Sequence, residues 1–197
     1  MNKKLASPLV IVLLLIGVIL LRPCAAIVLL TDEQALKEMF PDADNVTTEC
    51  KLLSVEQLEK VKSQLGGKWV LYQAGSKSKE VGEEDSCLFY FAMENGKKIG
   101  VAIMETQPGK WGPVKYIIAL DMTGKVKDLA VMMYVEQRGK PIARRSFLGQ
   151  FIGKTSEDEI IVGKDVDAIT GATISSRATA FAVKKVVALY ETVYLNE

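Results

Sequence analysis

Asp167-Ala168-Ile169-Thr170-Gly171-Ala172-Thr173 runs straight into Ile174-Ser175-Ser176. From about Ser175 the chain turns apolar-rich, which predicts a helix to about Val193. The stretch therefore sets a threonine hydroxyl, Thr173, at the mouth of a helix. Gly171 and Ala172 beside it are small and leave the hydroxyl open to approach. A helix N-terminus offers unpaired N–H groups and a partial positive charge, which suits a phosphate. A phosphate bound or esterified at Thr173 fits these residues. So does a plain reading: Thr-Gly-x-Thr-x-Ser-Ser before a helix is also a turn with an N-cap.

Composition narrows the chemistry. The 197 residues suffice for one good-sized domain or two small ones. Hydrophobic residues make up 49% and charged residues 25%, which allows a packed core. The formal net charge of +1 and the lack of a basic block argue against nucleic acid as a partner. There is no histidine. That excludes a Ser-His-Asp or Cys-His catalytic group, a C-x-x-C-H haem site and a His-based zinc site. Cys24, Cys50 and Cys87 are too widely spaced to read as a metal cluster. Any redox chemistry must come from an organic cofactor.

Residues 1–26 read as a targeting segment. Lys3 and Lys4 form a positive start, Leu9 to Leu21 is unbroken apolar, and Cys24-Ala25-Ala26 offers a small-x-small cleavage pattern. The apolar run of 13 residues is shorter than the roughly 20 needed to span a bilayer. An uncleaved membrane anchor is the alternative, because Ile27 to Leu30 extends the apolar run. Either reading puts the remainder outside the cytoplasm. Removal of the segment leaves 22 basic against 24 acidic residues, with Cys50 and Cys87 as an even pair that an oxidising compartment could join. Two separate buried thiols are the equal alternative.

The rest divides into an N-terminal segment, 27–85, and a domain, 86–197. Thr31 opens a helix that ends at Pro41, and Ser54 with Gln57 forms a capping box for a second helix ended by Gly66-Gly67. Lys68 to Gln73 reads as a strand. Two hairpins follow, Cys87–Met93 with Lys98–Glu105 about Asn95-Gly96, and Val114–Asp121 with Val126–Val135 about Thr123-Gly124. The loop from Gln107 to Pro113 between them carries one large aromatic, Trp111. Arg144 to Phe151 reads as a short helix. The expected fold is α+β: a twisted antiparallel sheet of two hairpins, packed by N-terminal helices and a long C-terminal helix.

The opening stretch resembles the D-x-x-[ST]-G-A-T motif of the bacterial FMN-binding domain family, which includes the covalent-FMN subunits of the Rnf and Na⁺-pumping quinone reductase complexes. Phe147-Leu-x-Gln150-Phe151-x-Gly153-Lys154 and Val162 to Val166 resemble the family as well. The family's usual glycine-rich strand entry is only partly present at Gly112-Pro113-Val114, and Glu136-Gln137-Arg138-Gly139 departs from its commoner Glu-Thr-Pro-Gly loop. The resemblance implies FMN joined by a phosphoester to Thr173. Gly171 and Ala172 would keep the approach open, Gly171 with a positive φ. Thr170 and Asp167 would shape the turn, and Asp167 would be read by the loading enzyme or act there with its metal; a simple Asx turn explains Asp167 equally. Ser175 and Ser176 would cap the helix and contact phosphate. Trp111, Gly112, Glu136 and Arg138 would lie near the flavin ring. The resemblance further implies an extracytoplasmic electron carrier. An FMN transferase using FAD and Mg²⁺ would load it, and redox proteins of a membrane electron-transport complex would be its partners. The alternative is a secreted module of the same fold that binds flavin loosely or serves as a docking subunit.

Overall fold

The computed structural model describes residues 26–78, 81–82, 85–135 and 140–196. The targeting segment lies outside them, apart from Ala26. A six-stranded antiparallel sheet forms the centre, in the order β1-β6-β5-β4-β3-β2. The strands are β1 (Ile27–Val28), β2 (Asn45–Leu52), β3 (Ser86–Glu94), β4 (Lys97–Pro108), β5 (Pro113–Leu120) and β6 (Val126–Tyr134). The helices are α1 (Asp32–Met39), α2 (Val55–Gln64), the single turn α3 (Arg145–Leu148) and α4 (Thr173–Tyr190), which widens into a π-helical end at Glu191–Leu195. No helix among the described residues is long and apolar enough to cross a membrane.

Both expected hairpins form and lie side by side. β4 pairs with β5 from Val101 opposite Leu120 to Pro108 opposite Pro113. The first hairpin turns at Asn95 and Gly96, both at positive φ (50° and 75°), the geometry that Asn-Gly supplies at least cost. The N-terminal helices are capped as expected: Thr31 and Ser54 accept from the backbone of Gln34 and Gln57, whose side chains return to the cap N–H groups.

Strand alternation sorts the core onto two faces. Phe89, Val101, Ile103, Tyr116, Ile118, Leu129 and Val131 face α4 and α2. Ala92, Ala102, Ile117, Ala119, Ala130 and Met132 face α1, which lays Ala35, Met39 and Phe40 across them. The second set is small because α1 lies close. A Cβ on Gly100 would sit 2.8 Å from the Phe40 ring. The first face holds α4 by apolar burial and by a hydrogen bond between the buried Tyr116 and Thr179 hydroxyls, 3.1 Å apart.

Two expectations change and one strand is new. Lys68 to Gln73 is not a strand: both neighbours of β4 are already taken, and Leu71 N–H instead donates to the Gln107 side chain at 2.9 Å. β2, which no expectation covered, forms an edge on a β-branched run, Val46-Thr47-Thr48. Cys50 and Cys87 lie on neighbouring strands, but Cys50 is opposite Leu88 and Cys87 opposite Lys51. Adjacent positions point to opposite faces, so the two thiols diverge and no disulfide joins them. Peptide mapping of unreduced protein is expected to yield no linked Cys50–Cys87 peptide.

Candidate functional site

The Asp167–Thr173 stretch is shaped from behind by the Phe147–Lys154 segment. Phe147 and Phe151 are buried with their rings edge-on, 5.5 Å apart. This fixes Gln150 between them and the motif. The Gln150 side chain accepts from Asp167 N–H at 2.8 Å, and its NH₂ lies 3.5 Å from Asp167 C=O. Gly153, at φ 85°, ends the segment and donates to Val126 C=O, while Lys154 C=O accepts from Val126 N–H, both at 2.8 Å. Lys154 Nζ then pairs with Asp165 at 2.8 Å. The motif's approach is thus clamped at two points to the segment that follows β6.

Asp165 organises the next link. Its carboxylate accepts from Ile160 N–H at 3.0 Å and Ile161 N–H at 2.6 Å. Ile160 sits at φ 48°, a left-handed conformation that a β-branched residue adopts only when its surroundings hold it there. Burial pushes the Asp165 carboxyl up, but the Lys154 ammonium and the two N–H groups outweigh it and hold it below the usual carboxylate range. A lowered folded value means stabilisation that is present above the unfolded value, about 3.9, and is lost as pH falls through the folded one. Thermal melts are expected to drop more steeply for the native chain than for Asp165→Asn as pH falls from about 5 to 3.

Thr173 sits at the end of this scaffold. Ile169 to Ala172 form a turn closed by Ala172 N–H to Ile169 C=O at 2.9 Å. Gly171, at φ 80°, takes the third position, where a type II turn requires a positive φ. No neighbour lies within 4 Å of a Cβ built there, so the backbone angle, not space, asks for glycine. α4 begins at Thr173 itself, two residues earlier than expected. Ser175 and Ser176 are therefore not caps. They occupy the first turn and are buried. Ser176 Oγ accepts from Ile169 N–H at 3.1 Å and donates to Ala172 C=O at 3.0 Å, stapling the turn to the helix.

The cap position is Ala172, which has no side chain to offer. The N–H groups of Thr173 and Ile174 precede the first intrahelical bond, made by Ser176 N–H to Ala172 C=O. An exposed hydroxyl therefore stands beside helix-terminal donors and the positive end of an 18-residue helix. Asp167 and Thr170 are exposed on the same turn.

The segment Gln73–Lys77 forms the opposite rim. Gln73 Nε2 donates to Ile174 C=O at 2.9 Å, and Gly75 packs near the Ile174 side chain. Ser76 Oγ donates to Gly109 C=O, and Lys77 N–H donates to Lys110 C=O at 2.7 Å. The segment thereby links the Thr173 end of α4 to the Trp111 loop. The Trp111 ring carries Lys77 Nζ 4.2 Å from its centre and Lys110 Nζ at 5.4 Å. Gly112 is closed in: a Cβ there would meet Val135 Cβ at 2.5 Å, so it serves the packing of the β5 entry against the end of β6. Glu136 and Arg138 lie outside the described residues. Gln73, Gly75 and Gln150 support the site but were not singled out from sequence as site residues. Only Gln150 carried a local signal, its place between two phenylalanines.

The site thus sets an exposed threonine at a helix terminus beside an antiparallel sheet. The model of the FMN-binding domain matches residues 109–188. It is 36% identical over 124 residues to a subunit of the ion-translocating oxidoreductase complex of Aliivibrio fischeri, covering 57% of this chain and 59% of that one. It is 30% identical over 106 residues to a subunit of the proton-translocating ferredoxin:NAD(+) oxidoreductase complex of Clostridium ljungdahlii, covering 50% of this chain and 57% of that one. The chain thus spans under three-fifths of the length of these relatives. The crystal structure of Shewanella oneidensis NqrC aligns at a TM-score of 0.49 and 15% identity over 79% of this chain and 84% of that one.

Proposed function

We propose that the protein is an extracytoplasmic electron carrier whose FMN is esterified through its phosphate to Thr173 Oγ. One observation carries the reading: the Thr173 hydroxyl is exposed at the first position of α4, beside helix-terminal N–H donors and a cap residue with no competing side chain. The residues present fit the group. The N–H groups of Thr173 and Ile174, with the positive helix end, would hold the phosphate of an ester at Thr173. Gly171 holds the turn that aims the hydroxyl outward, and Gln150 holds the turn's base. Ser176, consumed by the staple, stays out of the chemistry. When bound, the flavin supplies the one- and two-electron chemistry that no side chain of this histidine-free sequence offers.

Loading needs a separate transferase, using FAD and Mg²⁺, that can reach Thr173. Exposure of Asp167, Thr170 and Gly171 around the hydroxyl supports recognition of the turn by such an enzyme. The relatives named above are subunits of ion-translocating oxidoreductase complexes, which supports a membrane electron-transport complex as the source or sink of electrons. The export pattern in residues 1–26 supports placement outside the cytoplasm, with the segment either cleaved or kept as an anchor.

Intact-mass measurement after co-expression with an FMN transferase tests the reading. The expected product carries one FMN less water per chain. Yellow colour that washes out on denaturation would instead make this a loose flavin binder.

A further inference from the structure

We propose that β2 is a docking edge for a second copy of this chain, paired antiparallel about Cys50. β2 ends the sheet, so one of its sides carries no neighbouring strand among the described residues. It is 8 residues long, against 2 for β1 at the other end. It pairs with β3 in one unbroken register and contains no proline. Edge strands are kept from pairing with other chains by bulges, prolines or an unmatched charge. β2 has such a charge, Lys51, but it supplies the match as well, Glu49.

Which groups face outward follows from the ladder. Leu53 N–H donates to Asp85 C=O at 2.9 Å, continuing the register that sets Leu52 opposite Ser86. Backbone bonds alternate along an antiparallel pair. Thr47, Glu49 and Lys51 therefore bond to β3, while Thr48, Cys50 and Leu52 turn their N–H and C=O groups to the open edge. Side chains alternate too. Glu49 lies opposite Phe89 and shares its α4 face, with Lys51; Thr48, Cys50 and Leu52 share the α1 face.

A two-fold axis perpendicular to the sheet keeps like faces together, so an outward residue meets an outward residue. Three registers achieve this near the middle of the strand. Thr48 opposite Thr48 leaves Leu52, 74% exposed, beyond the end of the partner strand. Glu49 opposite Glu49 sets like charges together, which destabilises. Cys50 opposite Cys50 sets Glu49 against the partner's Lys51, twice by symmetry, and lays Leu52 against the partner's Thr48. Lys98 and the Tyr194 hydroxyl already hold the Glu49 carboxylate, at 2.5 and 2.7 Å. Lys51 lies 4.0 Å from Glu49 of its own strand. The acceptor is thus ordered before the partner arrives, which lowers the entropic cost of pairing. Both α4 helices then lie on one side of the joined sheet. Cys50 is exposed and its thiol is free. A hydrogen-bonded antiparallel pair sets its Cα atoms about 5.5 Å apart, within the span of a disulfide, so Cys50 reports the register.

The test uses the full chain with its thiols reduced, in native form and as Lys51→Glu and Thr48→Pro. Sedimentation velocity reads association. Diamide, which takes up the two hydrogens released as two thiols join, is then added, and peptide mapping reads which cysteines link. The native chain should associate reversibly as concentration rises and yield Cys50 linked to Cys50, and added salt should weaken it. Lys51→Glu sets carboxylates opposite each other. Its cross-linking should fall several-fold, and salt should now raise it. Thr48→Pro removes an outward N–H and leaves the bonds to β3; it should lose both dimer and link. A thermal melt checks that it folds. Should it not fold, the reversed salt response of Lys51→Glu, at a side chain 41% exposed, decides alone. A monomer at every concentration overturns the inference. So does equal cross-linking in native and variant chains, or Cys50 linked to Cys87 instead.

Discussion

Thr173→Val is expected to yield a folded protein that takes up no FMN covalently, even with the transferase present. Valine has nearly the shape of threonine but no oxygen to esterify, so the loss of adduct is complete rather than partial. Stability should change by no more than about 0.5 kcal/mol, because Thr173 is exposed and the cap position is Ala172, not Thr173. Intact mass reads the first effect and a thermal melt the second. Thr173→Ser supplies the contrast: it keeps a hydroxyl at the same helical position and should recover adduct. Loading that persists in the valine variant would move the attachment to another residue.

Glu105→Ala should be among the strongly destabilising changes in the core. Lys185 of α4 and Glu105 of β4 form an ion pair of 3.0 Å with side chains 7% and 10% exposed. Gln107 donates to the same carboxylate at 2.7 Å, and the Lys185 ammonium also lies 4.1 Å from the centre of the Trp69 ring. Truncating the glutamate strands a buried ammonium, which costs about 3–5 kcal/mol. Replacing both partners, as Glu105→Leu with Lys185→Met, should restore most of that loss, since no charge is left buried. Urea denaturation of the three proteins measures it. The network reaches the site: Gln107 also accepts from Leu71 N–H, two residues before Gln73 touches α4. The single variant should therefore lower flavin loading as well as stability.

Much of this was legible in the chain. Asn95-Gly96 and Thr123-Gly124 marked the hairpins because few other dipeptides turn so tightly. Thr31 and Ser54 marked helix starts through capping partners three residues on. The Gly171 turn was readable because its conformation is local. What stayed hidden depends on distant partners. Nothing near Lys68–Gln73 tells that its backbone will be met by Gln107, so its apolar rhythm read as a strand. Ser175 and Ser176 looked like caps because the serine in a Thr-x-Ser-Ser run competes with threonine for that place. Only the return contact to Ile169 and Ala172 shows Ser176 as a staple. Asp165 gave no hint that it holds a left-handed isoleucine, Ile160.

The strand order has a consequence for how the chain reaches this state. β1 and β2 are close in sequence yet form the two outer edges of the sheet, with α1 crossing one face between them. Ile27 must meet Tyr134, and Val28 must meet Met133. During synthesis the earliest of these residues to emerge are thus among the last that can dock, because β6 is made long after β1. The central hairpins can assemble first from local contacts, while the pairings at both edges span far more chain and close later. Until then the outer edges of β6 and β3 stand open to pairing with other chains. The short N-terminal stretch works as a late clasp, and a chain shortened past Asn45 should aggregate during refolding even though its central hairpins are intact.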